Sequence, residues 1–341
     1  MSAGVLPVMT AATLRPAESP TLYFVGVTTG DSSIQAVFPR WAEHLGLDGA
    51  RLQGVDLPLH ADPEDYRRVV EFIAADELSM GALVTTHKID LYRACADMFD
   101  VVDPHAKMMG ETSCLSKSEL GLVAHAKDPI SSGLALDAFV PAGHWARTGA
   151  EVLSMGAGGS TIAITWYLSQ ASRGADRPAR IVVTNRSQAR LDHLREVHQA
   201  LPTDTPFEYV LAEDTAANDA AVNALPPGSL VINATGLGKD APGSPITGAA
   251  RFPETGLAWD LNYRGDLVFL DQARAQQRER SLHVEDGWVY FLHGWTQVIA
   301  EVFHIAIPES GPEFDALSTL ALATRKDQND ESSRARPAGA E

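Results

Sequence analysis

Three glycines and a basic cluster mark the first place where this chain can do chemistry. Gly156-Ala157-Gly158-Gly159-Ser160 follows an apolar run, 152–155, and leads into Thr161-Ile162-Ala163. That order reads as a buried strand, a tight turn and the start of a helix. A dinucleotide's pyrophosphate needs main-chain N–H groups at a helix N-terminus, with no side chains in the way. Glycines supply that opening. About thirty residues on, the span of one βαβ unit, a second apolar run ends in Asn185-Arg186-Ser187, and Arg190 follows one helical turn later. A carboxylate at that place would hold a ribose 2′-hydroxyl and repel a 2′-phosphate. Arg instead offers a planar fork of donors that matches the phosphate. The cluster therefore points to NADP rather than NAD. A glycine turn alone can serve backbone needs only; the strand context and the basic replacement make it a dinucleotide site.

Four other clusters stand where strands should end, and the carboxyl ends of strands are where open α/β sheets place ligands. Thr85-Thr86-His87-Lys88 enters a helix; Lys88 could hold a proton, or be a solvated first-turn lysine, and His87 could cap or pack. Lys127-Asp128-Pro129 could supply a carboxylate or only initiate a turn. Asn233-Ala234-Thr235-Gly236 could pass over a bound nicotinamide or simply connect strand to helix. Asp260-Leu261-Asn262-Tyr263 ends another apolar run, and Tyr263 could equally be an exposed aromatic without a ligand. His and Cys show no metal-ligand spacing, so no metal is expected. Neither a nucleophile elbow nor a P-loop is present in the sequence.

The elements that must position these residues follow from periodicity. Strands are expected at 22–25, 52–58 and 81–85, and helices over 36–47, after Asp62-Pro63, and from near Lys88. A second alternation gives short apolar strands at 152–155, 180–184, 207–210, 230–233 and 257–261, with a helix over 162–170 that lays Trp166 and Tyr167 on the sheet. After Gly287 the chain turns apolar and helical again. Residues 1–20 and 326–341 read as flexible tails. A net charge of -17 over 341 residues argues against nucleic acid or an anionic membrane as the main partner. The two cysteines, Cys95 and Cys114, form no disulfide framework. No basic start with a long apolar core is seen at the N-terminus, and no run is long enough to cross a bilayer, so a cytoplasmic location is expected.

Taken in order, these clusters resemble the shikimate/quinate dehydrogenase family over nearly the whole ordered chain. Gly26 to Leu47 resembles the family's first strand, serine-bearing loop and first helix. Leu83-Val-Thr-Thr-His-Lys88 is similar to V-T-x-P-x-K, Gly110-Glu-Thr-Ser-Cys114 to G-A-V-N-T, and the segment at Asp128 to N-T-D. The glycine turn, Asn185-Arg-Ser, Asn233-Ala-Thr and Asp260-Leu-Asn-Tyr have counterparts in the same sequence order. The resemblance implies that Lys88 and Asp128 are the catalytic pair. It implies that Ser32, Ile34, Thr85, Ser113, Tyr263 and Gln297 face substrate, and that Leu261 and Gly287 join the cofactor-side set. The substrate side departs from the family pattern. Ile34 stands at the second of two loop serines, Thr86 replaces a proline, and Ser113 replaces a substrate-binding Asn. Gln297 falls one turn late, with Gly294 at the simple count.

The fold expected is α/β with two domains: an N-terminal α/β substrate domain, 21–128 plus 288–325, and a Rossmann-type parallel-sheet dinucleotide-binding domain, 129–287. The function implied is an NADP-dependent oxidoreductase interconverting a ring ketone and a secondary alcohol, of the 3-dehydroshikimate/shikimate or quinate type, as a monomer or homodimer. A dehydrogenase of a related cyclitol or aminocyclitol, and a catalytically silent NADP-binding sensor, share the cofactor side of the pattern. A methylene-tetrahydrofolate type dehydrogenase shares the two-domain layout and a lysine but needs a pterin slot.

Overall fold

The computed structural model describes residues 6–239 and 241–334. The chain divides into two compact units. One holds the chain up to Lys127 together with Trp295 onward, and the other runs from Asp128 to Gly294. The helix Trp288–Phe303 contains the second crossing.

The first unit is built on β1 (Met9–Thr10), β2 (Thr21–Gly26), β3 (Arg51–Asp56), β4 (Ser79–Val84), β5 (Val101–Val102), β6 (Cys114–Ser118) and β7 (Gly121–His125). Among the described residues their order is β1-β3-β2-β4-β6-β7-β5. The β1-β3-β2-β4 part is parallel, and β6 runs antiparallel to both β4 and β7. Tyr23, Val25, Val55, Ala82 and Val84 alternate onto one face and pack on Tyr66, Val69, Val70 and Ile73, as period-two strands against an amphipathic helix require. That helix, Pro63–Ala75, starts where expected: Asp62 Oδ1 accepts from Glu64 N at 2.9 Å, and Pro63 takes the first position. On the other side Phe24 meets Trp295 edge-on at 5.0 Å, and Trp41 Nε1 donates to Leu317 O at 2.8 Å. Residues near the C-terminus thus complete a core begun near the N-terminus.

The second unit carries β8 (Val152–Met155), β9 (Ile181–Asn185), β10 (Phe207–Leu211), β11 (Leu230–Asn233), β12 (Leu257–Asp260) and β13 (His283–Glu285). All pairings are parallel, in the order β10-β9-β8-β11-β12-β13. This is the doubly wound dinucleotide-binding order, whose switch point lies between β8 and β11. The two-domain α/β class is therefore as expected.

Three expectations need correction. The leader is not loose over its described part: β1 pairs beside β3, Gln53 Nε2 donates to Pro7 O at 2.9 Å, and Ala17 N donates to Asp76 Oδ2 at 3.1 Å. The edge of β3 gives β1 its backbone partners, and the side chains of Gln53 and Asp76 hold the rest. Residues 1–5 lie outside the described ones. The expected tail after 325 continues the helix Pro312–Arg334, and 335–341 lie outside the described residues. Tyr167 does not lie on the sheet. Its ring packs where Gly133 of the helix Asp128–Phe139 leaves room, and its hydroxyl donates to Asp137 Oδ2 at 2.5 Å.

Candidate active site

In the first unit the candidate residues gather at the carboxyl ends of the parallel strands. The turn after β2 is fixed by Asp56 at the end of β3, whose Oδ1 accepts from Thr29 N at 2.8 Å and Thr29 Oγ1 at 2.6 Å. Ser32 closes that turn, half-buried, with its N–H on Thr29 O. Ile34 opens the helix Ile34–His44 and is fully buried, and its side chain has no hydrogen-bond donor where a serine would have one. Beyond β4, Thr85 O accepts from Lys88 N at 3.1 Å, and Lys88 begins the helix Lys88–Cys95 half-buried. His87 is a packing residue. Its Nδ1 meets Tyr66 Oη at 3.0 Å and its Nε2 meets Leu57 O at 3.1 Å. The carbonyl can only accept, so Nε2 carries the proton and Nδ1 accepts from tyrosine. Burial lowers the His87 pKa and keeps it neutral.

Lys88 and Ser113 are joined through the main chain, since Thr112 N donates to Lys88 O at 3.2 Å. Ser113 is buried. Its O accepts from Val84 N, its N–H reaches His125 O, and its Oγ accepts from Lys127 N at 2.7 Å. The hydroxyl proton therefore points to a different acceptor than Lys127, which only donates here. Lys127 Nζ pairs with Glu301 Oε2 at 2.5 Å, and Glu301 Oε1 lies 3.5 Å from His125 Nε2. Burial pushes the Glu301 carboxyl up, but Lys127 and His125 outweigh it and hold it below the usual range. Neither Asp56 nor Glu301 was singled out by sequence. Asp56 carries a signal, since it is a carboxylate at a strand end; Glu301 is a lone acid on an apolar helix. Gln297 lies on that helix, and its amide donates to Glu309 Oε1 at 3.2 Å.

Asp128 belongs to the second unit, as the buried first residue of the helix Asp128–Phe139. It starts a helix rather than an isolated turn. The cofactor-side candidates meet at the switch point. Gly156 has φ +112°, and a Cβ there would lie 2.4 Å from Ala234 O, so only glycine fits between β8 and β11. Thr161 Oγ1 donates back to Gly156 O at 2.8 Å and fixes the turn. Gly158 caps the helix Gly159–Ser169 without a side chain, and a Cβ on it would meet nothing within 4 Å. Ala157 is buried, and Ser160 Oγ accepts from Tyr290 Oη at 3.4 Å. Among the described residues the helix start is thus open beside Gly158, as the approach of a pyrophosphate to first-turn N–H groups requires.

At the end of β9, Asn185 Oδ1 accepts from Ser187 N at 2.8 Å. Arg186 and Arg190 are exposed and form no ion pair among the described residues, and the first turn of the helix Gln188–Gln199 has no acid. Asn233 organises the next loop. Its Oδ1 accepts from Thr235 N and Oγ1, while its Nδ2 donates to Leu237 O and Asp260 Oδ1. Gly236 takes φ +77° there, and Thr235 is exposed. Asp260 is fully buried, with Oδ1 also accepting from Asn262 N at 2.9 Å and Oδ2 without a partner among the described residues. Burial pushes its carboxyl up to about 6. Leu261 and Gly287 are in contact, because a Cβ on Gly287 would lie 2.0 Å from Leu261 O. Tyr263 is buried rather than exposed, its ring 4.7 Å from Phe291 and 5.5 Å from Trp288. Among the described residues no cluster of His, Cys, Asp or Glu could hold a metal, and no helix is long and apolar enough to cross a membrane.

No protein-family model matches the chain. It is 25% identical over 320 residues, 91% of this chain and 99% of the relative, to a shikimate dehydrogenase (NADP(+)) of Sphingopyxis alaskensis. The fold is similar to that of a quinate dehydrogenase from Corynebacterium glutamicum in complex with NAD, with TM-score 0.69 and 18% identity over 89% of this chain and 99% of that one. A shikimate 5-dehydrogenase from Thermus thermophilus, in complex with NADP(H) and shikimate, gives TM-score 0.65 at 23% identity over the same shares. Near-complete sequence coverage, a shared fold and the ordered strand-end motifs converge on one likeness: the chain is similar throughout to the shikimate and quinate dehydrogenases.

Proposed function

We propose that the protein is an NADP-dependent dehydrogenase that reversibly reduces a ring ketone to a secondary alcohol, with a substrate of the 3-dehydroshikimate/shikimate or quinate type. The observation that carries the cofactor half is the end of β9, where Arg186 and Arg190 stand without carboxylate partners among the described residues, beside an acid-free helix start. Two guanidinium forks there suit a 2′-phosphate. When bound, the nicotinamide supplies or accepts the hydride. The proton is the task of Lys88, whose ammonium gives it to the ketone oxygen during reduction and whose amine takes it back during oxidation. Asp128 orients that exchange by accepting a hydrogen bond from a substrate hydroxyl. Ser32 and Ser113 offer hydroxyls to the substrate's polar groups, and Ile34 narrows the choice by offering none.

The test is an absorbance assay of shikimate and quinate oxidation, and of 3-dehydroshikimate reduction, with each cofactor. Turnover with NADP(H), and its abolition in Lys88→Ala with NADPH binding retained, is the expected result. Full activity of Lys88→Ala would remove that residue from the proton step. Tight NADPH binding without turnover on any cyclic hydroxy acid or cyclitol would leave a sensor.

A further inference from the structure

The first unit contains a cavity of about 460 Å³ between the segment that precedes β2 and the amino-terminal half of β2 and β3. Its floor is the amino-terminal half of β2 and β3, through Tyr23 and Gln53, and its roof is the segment that precedes β2. Arg51 and Asp56 terminate the same strand, so Arg51 and the loop carrying Ser32 are separated by about 16 Å of extended chain, while Val8 of the roof reaches Gly30 of that loop. The volume lies within the range of small-molecule sites, about 300–1,000 Å³.

This cavity is built rather than left over. Gln53 is 4% exposed and Tyr23 fully buried, and both face it. Gln53 Nε2 fastens the roof by donating to Pro7 O. Tyr23 Oη donates to Asp76 Oδ2 at 2.7 Å, and that oxygen also holds Ala17 N. The roof contributes apolar surface through Leu6, Pro7, Val8 and Met9. Arg15 and Arg51 line the cavity as exposed residues, and neither guanidinium is engaged in an ion pair among the described residues. Glu18 lines it too. Two cations against one carboxylate leave the walls with a single net positive charge, in a chain whose overall charge is -17. A local positive site on so acidic a molecule is retained against the field of the whole, and it favours a ligand with one negative charge and an apolar body.

We propose that this cavity is a second ligand site, separate from the catalytic end, which takes a small apolar monocarboxylate. The apolar part of the ligand lies against the roof, and its carboxylate meets Arg15 and Arg51. The prediction is independent of which ring alcohol the enzyme oxidises.

Calorimetric titration of the full chain with 2-naphthoate tests it, with 2-naphthamide as the uncharged control. Stoichiometric binding of the acid is expected, with the amide weaker by about tenfold or more, the loss of a charge-assisted contact. Arg15→Ala/Arg51→Ala is expected to weaken the acid equally, with an unchanged circular dichroism spectrum. Binding is expected to persist in Lys88→Ala and in saturating NADPH. No binding at millimolar acid, equal binding of acid and amide, or displacement by NADPH would overturn the proposal. The last of these would place the probe in the cofactor site instead.

Discussion

At the scale of residues, Asp260 shows how burial sets a chemical property. Its carboxyl is surrounded by Asn233 and Asn262, yet one oxygen has no partner among the described residues, and burial raises its pKa from 3.8 to about 6. A carboxyl that holds its proton more tightly folded than unfolded contributes stability below pH 4 that is lost as pH rises to 6. The full swing is about 3 kcal/mol. Asp260→Asn cannot titrate, so its stability relative to the wild type should rise by about that amount between pH 4 and pH 7; urea denaturation at the two pH values measures it. A flat difference would mean that the carboxylate is solvated in the fold. Arg186 and Arg190 give the second residue-scale expectation. Replacing both by Ala should raise the KM for NADPH by about a hundredfold or more, since each charge-assisted bond contributes about 1.5–3 kcal/mol. The KM for NADH should stay unchanged. The place of both arginines just beyond β9 was legible in the sequence because a strand end is a local pattern. Glu301 was not, because its partner Lys127 is 174 residues away and no local pattern records the pair.

At the scale of elements, the turn after β8 is the tightest constraint in the second unit. Gly156→Ala would force a side chain into positive φ and against Ala234 O. The expected cost is about 1–3 kcal/mol of stability, together with weaker NADPH binding, because the turn that presents the helix N-terminus must shift. Thermal unfolding with and without NADPH separates the two effects, and wild-type values for both would show that the turn relaxes freely. In this unit β8, β9, β11 and β12 were legible because each is a short, largely apolar run, as burial on both faces demands. β8 and β11 match their expected limits, and β12 stops one residue early where Asp260 begins the polar loop. β1, β5 and β13 escaped because runs of two or three residues carry no periodicity. β6 escaped because Ser116-Lys117-Ser118 reads as polar loop, whereas its pairing with β4 and β7 supplies the stability. Tyr167 was misplaced for a related reason: an aromatic on a buried helix says that it packs, not against which layer.

At the scale of the whole molecule, charge decides between opposite salt effects. Self-repulsion at a net charge of -17 opposes the compact state. Screening shortens from about 30 Å at 0.01 M to about 8 Å at 0.15 M. The melting temperature should therefore rise over that interval by a few degrees, while the KM for NADPH should rise as well, because salt also screens Arg186 and Arg190. A fall in either quantity would contradict the charge argument. Family-level function was legible in the order of strand-end motifs, which survive low overall identity. The substrate was not, since Ile34 and Ser113 alter the donors offered to it without naming a replacement.

The discontinuous first unit has a consequence for synthesis. Phe24 and Trp41 are made early, but Trp295 and Leu317, which they need, emerge only after the entire second unit. At about 5–20 residues per second, that delay is on the order of ten seconds or more. The inserted unit can finish folding on the ribosome while the unit that surrounds it still exposes two large aromatic side chains. In a growing chain, the later-made domain is therefore the first to be complete, and the window for chaperone capture opens at the beginning of the sequence.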